Sequence, residues 1–170
     1  MNIVLVLAAG VGCRAHTDVP KQFIEVHSVP VMVHTMRHFQ ECEQIDAICA
    51  VTLPEWKDRV KSYAIDYNIP KLKWVVDGGN TGLESVKKGI LALGACADDD
   101  IILIHDSVSP FISQHEITDN ILVATKHGVA VTAVPCVETL IKTDANGKSE
   151  YQIPRDGLMR VMTPQSFSLG

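Results

Sequence analysis

The sequence predicts a three-layer α/β/α sandwich around a mostly parallel β-sheet, on the basis of two observations. Short apolar runs rich in β-branched residues alternate with segments of helical periodicity, and strands separated by helices form parallel sheets. The first run, Ile3-Val4-Leu5-Val6, is apolar at every position, which is typical of a strand buried on both faces. The candidate strands are residues 3–8, 47–53, 73–76, 101–105 and 129–135.

Helical patterns lie between these strands. Two of them place apolar residues on one helix face, and we interpret these residues as core contacts: Met32, Met36 and Phe39 in the first, and Val60, Ala64 and Tyr67 in the second. The other two open with Thr81-x-x-Glu84 and Ser113-x-x-Glu116. This spacing predicts a capping box, in which the two side chains satisfy the free N–H groups of the first helical turn.

Length, charge and cysteine content limit the possible function classes. The 170 residues suit one domain, 1–170, and the formal net charge of −5 argues against a non-specific nucleic-acid binder. No apolar run is as long as a transmembrane helix, and the start of the chain lacks a signal-peptide pattern. The 5 cysteines form no C-x-x-C motif, which argues against a disulfide framework or a zinc site. We therefore expect a cytoplasmic protein without a membrane or nucleic-acid partner.

A glycine loop follows the first strand. It reads Leu7-Ala8-Ala9-Gly10-Val11-Gly12-Cys13-Arg14, and Pro20-Lys21-Gln22 comes shortly after it. Open α/β sheets bind ligands at the carboxyl ends of their strands. Glycines allow backbone N–H groups to approach a bulky anion, and Arg14 and Lys21 would neutralise its charge. The segment therefore predicts a nucleoside triphosphate site.

The glycines of this loop also occur in other kinds of site. Gly10 and Gly12 match a dinucleotide-binding fingerprint, in which Ala15 would be a tolerated third residue. The paired cations Arg14 and Lys21 are unlike that fingerprint, where helix N–H groups supply most of the positive field. A Walker A string is absent from the sequence. A plain strand-to-helix turn is the remaining alternative.

Two further segments stand at predicted strand ends. Gly78-Gly79 follows the third strand and precedes a capped helix, so it is either a simple turn or a close approach to a base or ribose. His105-Asp106-Ser107 ends the most apolar strand. Asp106 is a candidate ligand for Mg²⁺ or a sugar hydroxyl, because Mg²⁺ binds one or two carboxylates together with substrate phosphates. A turn-capping role is the alternative for Asp106.

A β-hairpin is predicted at about residues 138–155. Asn146-Gly147 favours a tight hairpin turn between two short β-rich segments. A lone hairpin is marginally stable in water. We therefore expect this arm to pack on the body of the protein or on a second subunit.

Together these motifs resemble the family of 2-C-methyl-D-erythritol 4-phosphate and ribitol-5-phosphate cytidylyltransferases. The resemblance covers essentially all 170 residues in the right order. The matching segments are the glycine loop through Arg14, Pro20-Lys21-Gln22, Gly78-Gly79 with Ser85-Val86, His105-Asp106-Ser107-Val108, Pro110-Phe111, Thr139, Arg155 and Thr163-Pro164-Gln165-Ser166-Phe167. It implies a Rossmann-like nucleotidyltransferase fold with a protruding hairpin arm.

The resemblance also implies residue roles. It implies catalytic roles for Arg14, Lys21 and Arg155, of which Arg14 and Lys21 would hold the triphosphate and stabilise the charge that grows on the α-phosphate. The nucleotide-binding residues would be Ala8, Ala9, Gly10, Gly12, Gly78, Gly79, Ser85, Asp106 and Ser107. The polyol phosphate would contact Asp106, Thr139, Arg155 and Thr163, and Asp106 would be the Mg²⁺ ligand. The implied partners are CTP, a polyol phosphate and a second copy of the chain, which would join through the arm.

The implied reaction is transfer of CMP from CTP to a polyol phosphate with release of pyrophosphate. The first expected acceptor is 2-C-methyl-D-erythritol 4-phosphate, in isoprenoid precursor synthesis, and the alternative is ribitol 5-phosphate or another polyol phosphate of cell-surface polymers. Three departures keep a weakened nucleotide-binding paralogue open. Gly82 and Ser109 stand where relatives of the isoprenoid enzyme usually carry Arg, and family members continue beyond Gly170 with a helix and a Lys-bearing strand. The sequence is therefore expected to be partial or a shortened paralogue.

Overall fold

The computed structural model describes residues 1–10, 19–94 and 96–169. Within these ranges the strands are β1 (Asn2–Ala8), β2 (Glu25–Val26), β3 (Val29–Pro30), β4 (Ala47–Thr52), β5 (Leu72–Asp77), β6 (Ile101–Asp106), β7 (Val129–Pro135), β8 (Leu140–Thr143), β9 (Ser149–Ile153) and β10 (Met159–Ser168). The helices are α1 (Val31–Glu41), α2 (Lys57–Asp66), α3 (Gly82–Ala92) and α4 (Gln114–His127). Short 3₁₀ turns lie at Lys21–Phe23 and Pro54–Trp56. Among the described residues, no helix is both long and apolar enough to cross a membrane.

The main sheet has six strands in the order β5-β4-β1-β6-β10-β7. Strands β5, β4, β1 and β6 pair in parallel, whereas β10 is antiparallel to both of its neighbours. β1 lies at the centre of the parallel part, where Leu5 is opposite Cys49 of β4 and Ile104 of β6. The predicted fold class, an α/β protein with a mostly parallel sheet flanked by helices, is confirmed.

The core lies on both faces of this sheet. Val4 and Val6 of β1 belong to the buried cluster that also contains residues of α1, α2 and α4. Ile3 and Leu5 face the opposite way, into the cluster that packs against α3. Because successive side chains of a strand point to opposite faces, a strand covered on both faces is apolar at every position. This explains the uninterrupted apolar run at the start of the chain.

Side-chain caps begin two of the helices. At α4 the Ser113 hydroxyl accepts the Glu116 N–H at 3.2 Å and the Glu116 carboxylate accepts the Ser113 N–H at 2.8 Å, a complete capping box. At α3 the Thr81 hydroxyl accepts the Glu84 N–H at 3.1 Å. The Glu84 carboxylate reaches one residue further back than the sequence pattern predicts and accepts the N–H of Asn80.

Strand β10 is not among the strands predicted from sequence. It enters the sheet between β6 and β7, and Pro164 lies within it. Proline cannot donate a ladder hydrogen bond, so its presence argues against an inner strand. The chain accommodates Pro164 through a register irregularity between Val161 and Gln165. The Pro164 carbonyl instead accepts hydrogen bonds from the Thr132 hydroxyl at 2.7 Å and the Asn120 amide at 3.3 Å.

The chain between β7 and β10 forms the predicted hairpin. β8 and β9 pair antiparallel as a separate two-stranded sheet, and Gly147 in the connecting turn has a φ of +79°. Residues 159–161 of β10 pair with β7 but not with β6, so a two-stranded ribbon leads from the main sheet towards this hairpin. We call residues 138–155 the arm.

Candidate active site

A cavity of about 610 Å³ lies at the carboxyl ends of the parallel strands. Segments that follow β1, β4, β5 and β6 form its walls, as expected for a ligand site in an open α/β sheet. The cavity is lined by Leu7, Ala9, Gly10, Lys21, Gln22, Leu53, Pro54, Gly79, Asn80, Thr81, Gly82, Ser85, Asp106, Ser107 and Val108.

The first wall is the end of β1 together with the 3₁₀ turn at Lys21–Phe23. The Gln22 side-chain amide is buried and donates to the Ala8 carbonyl at 2.6 Å and to the Gly10 carbonyl at 3.0 Å. Phe23 stacks on Trp56 with ring centroids 4.0 Å apart and an interplanar angle of 7°. These contacts fix the turn, while the Lys21 side chain is exposed at the cavity.

The second wall is the Gly78-Gly79 turn after β5. A Cβ on Gly79 would lie 2.2 Å from the Glu84 Cβ, so this close approach to α3 requires glycine. The Gly79 N–H donates to the Ser85 hydroxyl at 3.0 Å, and that hydroxyl donates to the Thr81 carbonyl at 3.0 Å. Ser85 therefore supports the turn, and its hydroxyl can offer a ligand a lone pair but no proton.

The third wall is the end of β6. The Asp106 carboxylate is exposed at the cavity, and the Asp106 N–H donates to the Thr163 hydroxyl at 3.4 Å. Ser107 is buried, and its N–H donates to the Leu7 carbonyl at 3.1 Å. Since Leu7 belongs to β1, this bond holds the end of β6 against the end of β1.

The His105 side chain contacts the segment that follows β6. Its ring lies edge-on to Phe39 and its Nε2 is 3.0 Å from the Ser109 carbonyl oxygen, so we assign the proton of the neutral ring to Nε2. The His105 Nδ1 is buried without a hydrogen-bond partner. Burial lowers the pKa of His105 below its ordinary value of 6.5, which favours the neutral ring. We interpret this ring as structural, because it packs on Phe39 and bonds to the Ser109 carbonyl.

The charged residues of the described lining are Lys21 and Asp106. No group of three or more His, Cys, Asp or Glu side chains in the described ranges could hold a metal ion by itself. A single carboxylate facing an anion site nevertheless fits Mg²⁺, because this ion takes one or two carboxylates and completes its shell with phosphates and water.

Some of the residues predicted to form the site meet at this cavity: Ala9, Gly10, Lys21, Gly79, Ser85, Asp106 and Ser107. Three other predicted residues contact the lining without being part of it. The Ala8 carbonyl accepts from Gln22, Gly78 packs against Ala9, and the Thr163 hydroxyl accepts from the Asp106 N–H. Gly12 and Arg14 lie outside the described residues. The cavity is also lined by residues that were not among the predicted site residues, including Gln22, Leu53, Pro54, Asn80 and Thr81. Of these, Gln22 stood in the Pro20-Lys21-Gln22 motif, which could have indicated it.

Thr139 and Arg155 belong to the arm and do not line the cavity of the same chain. The Arg155 guanidinium donates to the Val137 carbonyl at 2.8 Å. Large apolar side chains are exposed on the arm and beside it: Val137, Leu140, Ile141, Tyr151, Met159, Val161 and Met162. A concentration of exposed apolar side chains is typical of an interaction surface.

Comparison with known proteins gives consistent matches. Residues 2–170 match the family model described as IspD: 2-C-methyl-D-erythritol 4-phosphate cytidylyltransferase. The chain is 40% identical to a ribitol-5-phosphate cytidylyltransferase of Streptococcus agalactiae serotype Ia, over 99% of this chain and 72% of that protein. It is 36% identical to a 2-C-methyl-D-erythritol 4-phosphate cytidylyltransferase of Clostridium novyi, over 98% and 71%. The crystal structure of 4-diphosphocytidyl-2C-methyl-D-erythritol synthase from Anaerococcus prevotii superposes with a TM-score of 0.80 at 26% identity, covering 98% of this chain and 69% of that one.

Proposed function

Because the chain belongs to the 2-C-methyl-D-erythritol 4-phosphate cytidylyltransferase family, a family of polyol-phosphate cytidylyltransferases, we propose that its acceptor is ribitol 5-phosphate. The sequence identity is 40% to the Streptococcus agalactiae relative named for ribitol 5-phosphate and 36% to the Clostridium novyi relative named for the methylated acceptor, which favours ribitol 5-phosphate. Gly82 favours it as well, since relatives of the isoprenoid enzyme usually carry Arg at that position. The second candidate is 2-C-methyl-D-erythritol 4-phosphate, which the family description and the similar crystal structure support.

One observation carries the proposal that the chain transfers a nucleotide. Two glycine turns, a lysine and an aspartate from separate strand ends face one cavity of about 610 Å³. The backbone at Gly10 and the Lys21 ammonium would hold the triphosphate, and the Gly78-Gly79 turn would receive the base or ribose. Arg14, which follows Gly10 in the sequence and lies outside the described residues, is proposed as the second cation.

The proposed reaction is an in-line displacement at phosphorus. A phosphate oxygen of the polyol phosphate forms a bond to the α-phosphorus of CTP, the bond from that phosphorus to the bridging oxygen breaks, and pyrophosphate leaves with the electron pair. The protein's contribution is to orient the two anions and to stabilise the charge that grows on the α-phosphate, and no protein nucleophile is needed. Lys21 is the described residue suited to that stabilisation.

Asp106 is proposed as the protein ligand of Mg²⁺. When bound there, the ion would neutralise triphosphate charge. The Asp106 carboxylate is exposed at the cavity, so its oxygens can reach a cation or polyol hydroxyls, while the Asp106 backbone N–H donates to the Thr163 hydroxyl. Thr163 would thereby orient the segment that carries Asp106.

We further propose that two chains join through the arm. A lone hairpin gains little stability in water, and the apolar side chains on the arm are exposed. In a two-fold dimer, Thr139 and Arg155 would reach the acceptor part of the partner's cavity, which explains how residues that lie outside the cavity of their own chain could bind the polyol phosphate. A monomer at micromolar concentration with full activity would contradict this arrangement.

A pyrophosphate-release assay tests the proposed function. CTP and Mg²⁺ are combined in parallel with ribitol 5-phosphate, 2-C-methyl-D-erythritol 4-phosphate and erythritol 4-phosphate. The expected result is the highest kcat/KM with ribitol 5-phosphate. Preference for the methylated acceptor would instead support the isoprenoid reaction. CTP binding without pyrophosphate release from any acceptor would identify a weakened nucleotide-binding paralogue.

A further inference from the structure

We propose that Gln22 is a positioning residue, which sets the geometry of the described loop residues Ala8, Ala9 and Gly10 and of Lys21 for the triphosphate. This inference rests on the proposed function and adds a residue to which no role was assigned. Gln22 lies at the first wall of the cavity, one position after the lysine, and its side chain is 1% exposed. Buried polar side chains are hydrogen-bonded in folded proteins, so the partners of this amide identify the groups that it orients.

The two amide protons of Gln22 have separate partners. Nε2 donates to the Ala8 carbonyl at 2.6 Å and to the Gly10 carbonyl at 3.0 Å. The opposite amide orientation would direct Oε1 at two carbonyl oxygens, which is repulsive, so the surroundings determine the assignment of nitrogen and oxygen. One side chain therefore fixes the two carbonyls on either side of Ala9.

This contact acts on the part of the loop that a phosphate would approach. A peptide group is planar, so holding the Ala8 carbonyl also fixes the direction of the Ala9 N–H. Holding the Gly10 carbonyl restrains a glycine that has no side chain of its own to limit its backbone. Ala9 and Gly10 both line the cavity. Without Gln22, the loop would sample other orientations and present its N–H groups less often to the anion.

The same residue also anchors Lys21. Within the 3₁₀ turn the Phe23 N–H donates to the Pro20 carbonyl at 2.8 Å, and Phe23 is held by its stack on Trp56. With Gln22 tied to the glycine loop and Phe23 tied to Trp56, the backbone of Lys21 is fixed next to that loop. On binding the triphosphate, only the rotamers of the exposed Lys21 side chain would become ordered, because its backbone is already fixed.

The test compares three variants. Gln22→Leu keeps the size but removes both donors, and Gln22→Glu keeps the shape but directs carboxylate oxygens at the two carbonyls. Gln114→Leu is the matched control, because Gln114 also donates its side-chain amide to a backbone carbonyl, that of His38 at 2.8 Å, at an exposed position outside the cavity lining. For each protein, CTP affinity is measured by calorimetry, kcat and KM by pyrophosphate release, and the unfolding midpoint by circular dichroism.

The expected result is a loss of about 100-fold in kcat/KM for CTP in Gln22→Leu, at a temperature where the variant is folded, as for other small misplacements of binding groups. Gln22→Glu should lose at least as much, and Gln114→Leu should behave as wild type. Adding Lys21→Ala to Gln22→Leu should reduce kcat/KM by less than Lys21→Ala does alone, because Gln22 acts partly through Lys21 and partly through the N–H groups of Ala9 and Gly10. A purely structural role would give additive losses.

Three outcomes would overturn the proposal. The first is a folded Gln22→Leu with wild-type kcat/KM, and the second is strict additivity with Lys21→Ala. The third is failure of both Gln22 variants to fold while Gln114→Leu folds, which would make Gln22 a folding residue. Failure of the proposed function is separate, because it would appear as a wild-type protein that releases no pyrophosphate with any acceptor.

Discussion

A Cβ atom placed on Gly78 would lie 2.2 Å from the Cβ of Ala9. Ala9 follows β1 and Gly78 follows β5, so the segments after these two strands are in contact at the Ala9 methyl group, and the contact leaves no room for a side chain on Gly78. The Gly78 N–H also donates to the Thr52 carbonyl at 2.8 Å, which prevents the turn from moving away without the loss of a hydrogen bond. This contact therefore holds the turn after β5 against the segment after β1, next to the cavity.

Gly78→Ala should disturb both the fold and the site. The added methyl group must displace Ala9 or the turn, and overpacking of this kind costs about 1–3 kcal/mol of unfolding free energy. We expect this loss in urea unfolding, together with weaker CTP binding. Gly82→Ala is the control for stability alone, because a Cβ there would meet no described atom within 4 Å, although Gly82 itself lines the cavity. A Gly78→Ala protein with wild-type stability would show that the two walls can move apart freely.

Lys21→Ala should lower kcat by about 10²–10³-fold, the range found when one preorganised charge-stabilising group is removed. The fold should persist because the Lys21 side chain is exposed. Lys21→Arg should not restore full activity, since a guanidinium and an ammonium bind phosphate in different geometries. Lys87→Ala, on the exposed surface of α3, is the control, and near-normal turnover of Lys21→Ala would remove this lysine from the reaction.

Arg155→Ala should raise the KM for the polyol phosphate and leave the affinity for CTP unchanged, because the two anions are proposed to occupy different pockets. Steady-state kinetics with each substrate varied in turn provides the measurement. Arg160→Ala is a control near the arm, since Arg160 is already paired with Glu138 at 2.6 Å. An equal loss of CTP affinity in Arg155→Ala would assign Arg155 to the nucleotide.

His105 should make the stability depend on pH. Its pKa is lowered in the folded protein by burial, so the unfolded chain binds a proton at a pH where the folded protein does not. The free energy of unfolding should therefore decrease as pH falls below 6.5 towards the folded pKa, by at most about 1.4 kcal/mol per pH unit for this one group. His105→Gln should have a shallower dependence in this window, measured by urea unfolding at several pH values. An unchanged slope would mean that His105 does not titrate differently on unfolding.

CTP should be preferred over UTP by about 10–100-fold in kcat/KM, because a base with exchanged donors and acceptors leaves buried groups unpaired. Backbone groups near Gly10 and Gly79 are expected to make this distinction. The Ser85 hydroxyl can add an acceptor for the cytosine amine, since its proton is donated to Thr81. Equal use of both nucleotides in a competition assay would point to a site that does not distinguish the two pyrimidines.

The parallel part of the sheet could be predicted from the amino-acid sequence alone. The apolar run of β1 reflects burial on both faces, and the caps at Ser113 and Thr81 are local interactions between residues three apart. Such patterns depend on neighbours in the chain, so they can be read directly. Because carboxyl ends of parallel strands share one edge, the sequence also indicated that the segments after β1, β5 and β6 would meet.

The position of β10 and the hydrogen-bond partners of the buried polar side chains depend on long-range contacts, so they became visible only in the folded structure. β10 contains Pro164 and polar residues that do not resemble an inner strand, and its place between β6 and β7 depends on partners more than 20 residues away, among them Asn120 and Thr132. The partners of the Gln22 amide and the Ser85 hydroxyl were likewise invisible in the sequence. A polar side chain has the same chemistry whether it contacts a ligand or orients a neighbouring loop, and only the folded arrangement of donors and acceptors distinguishes the two.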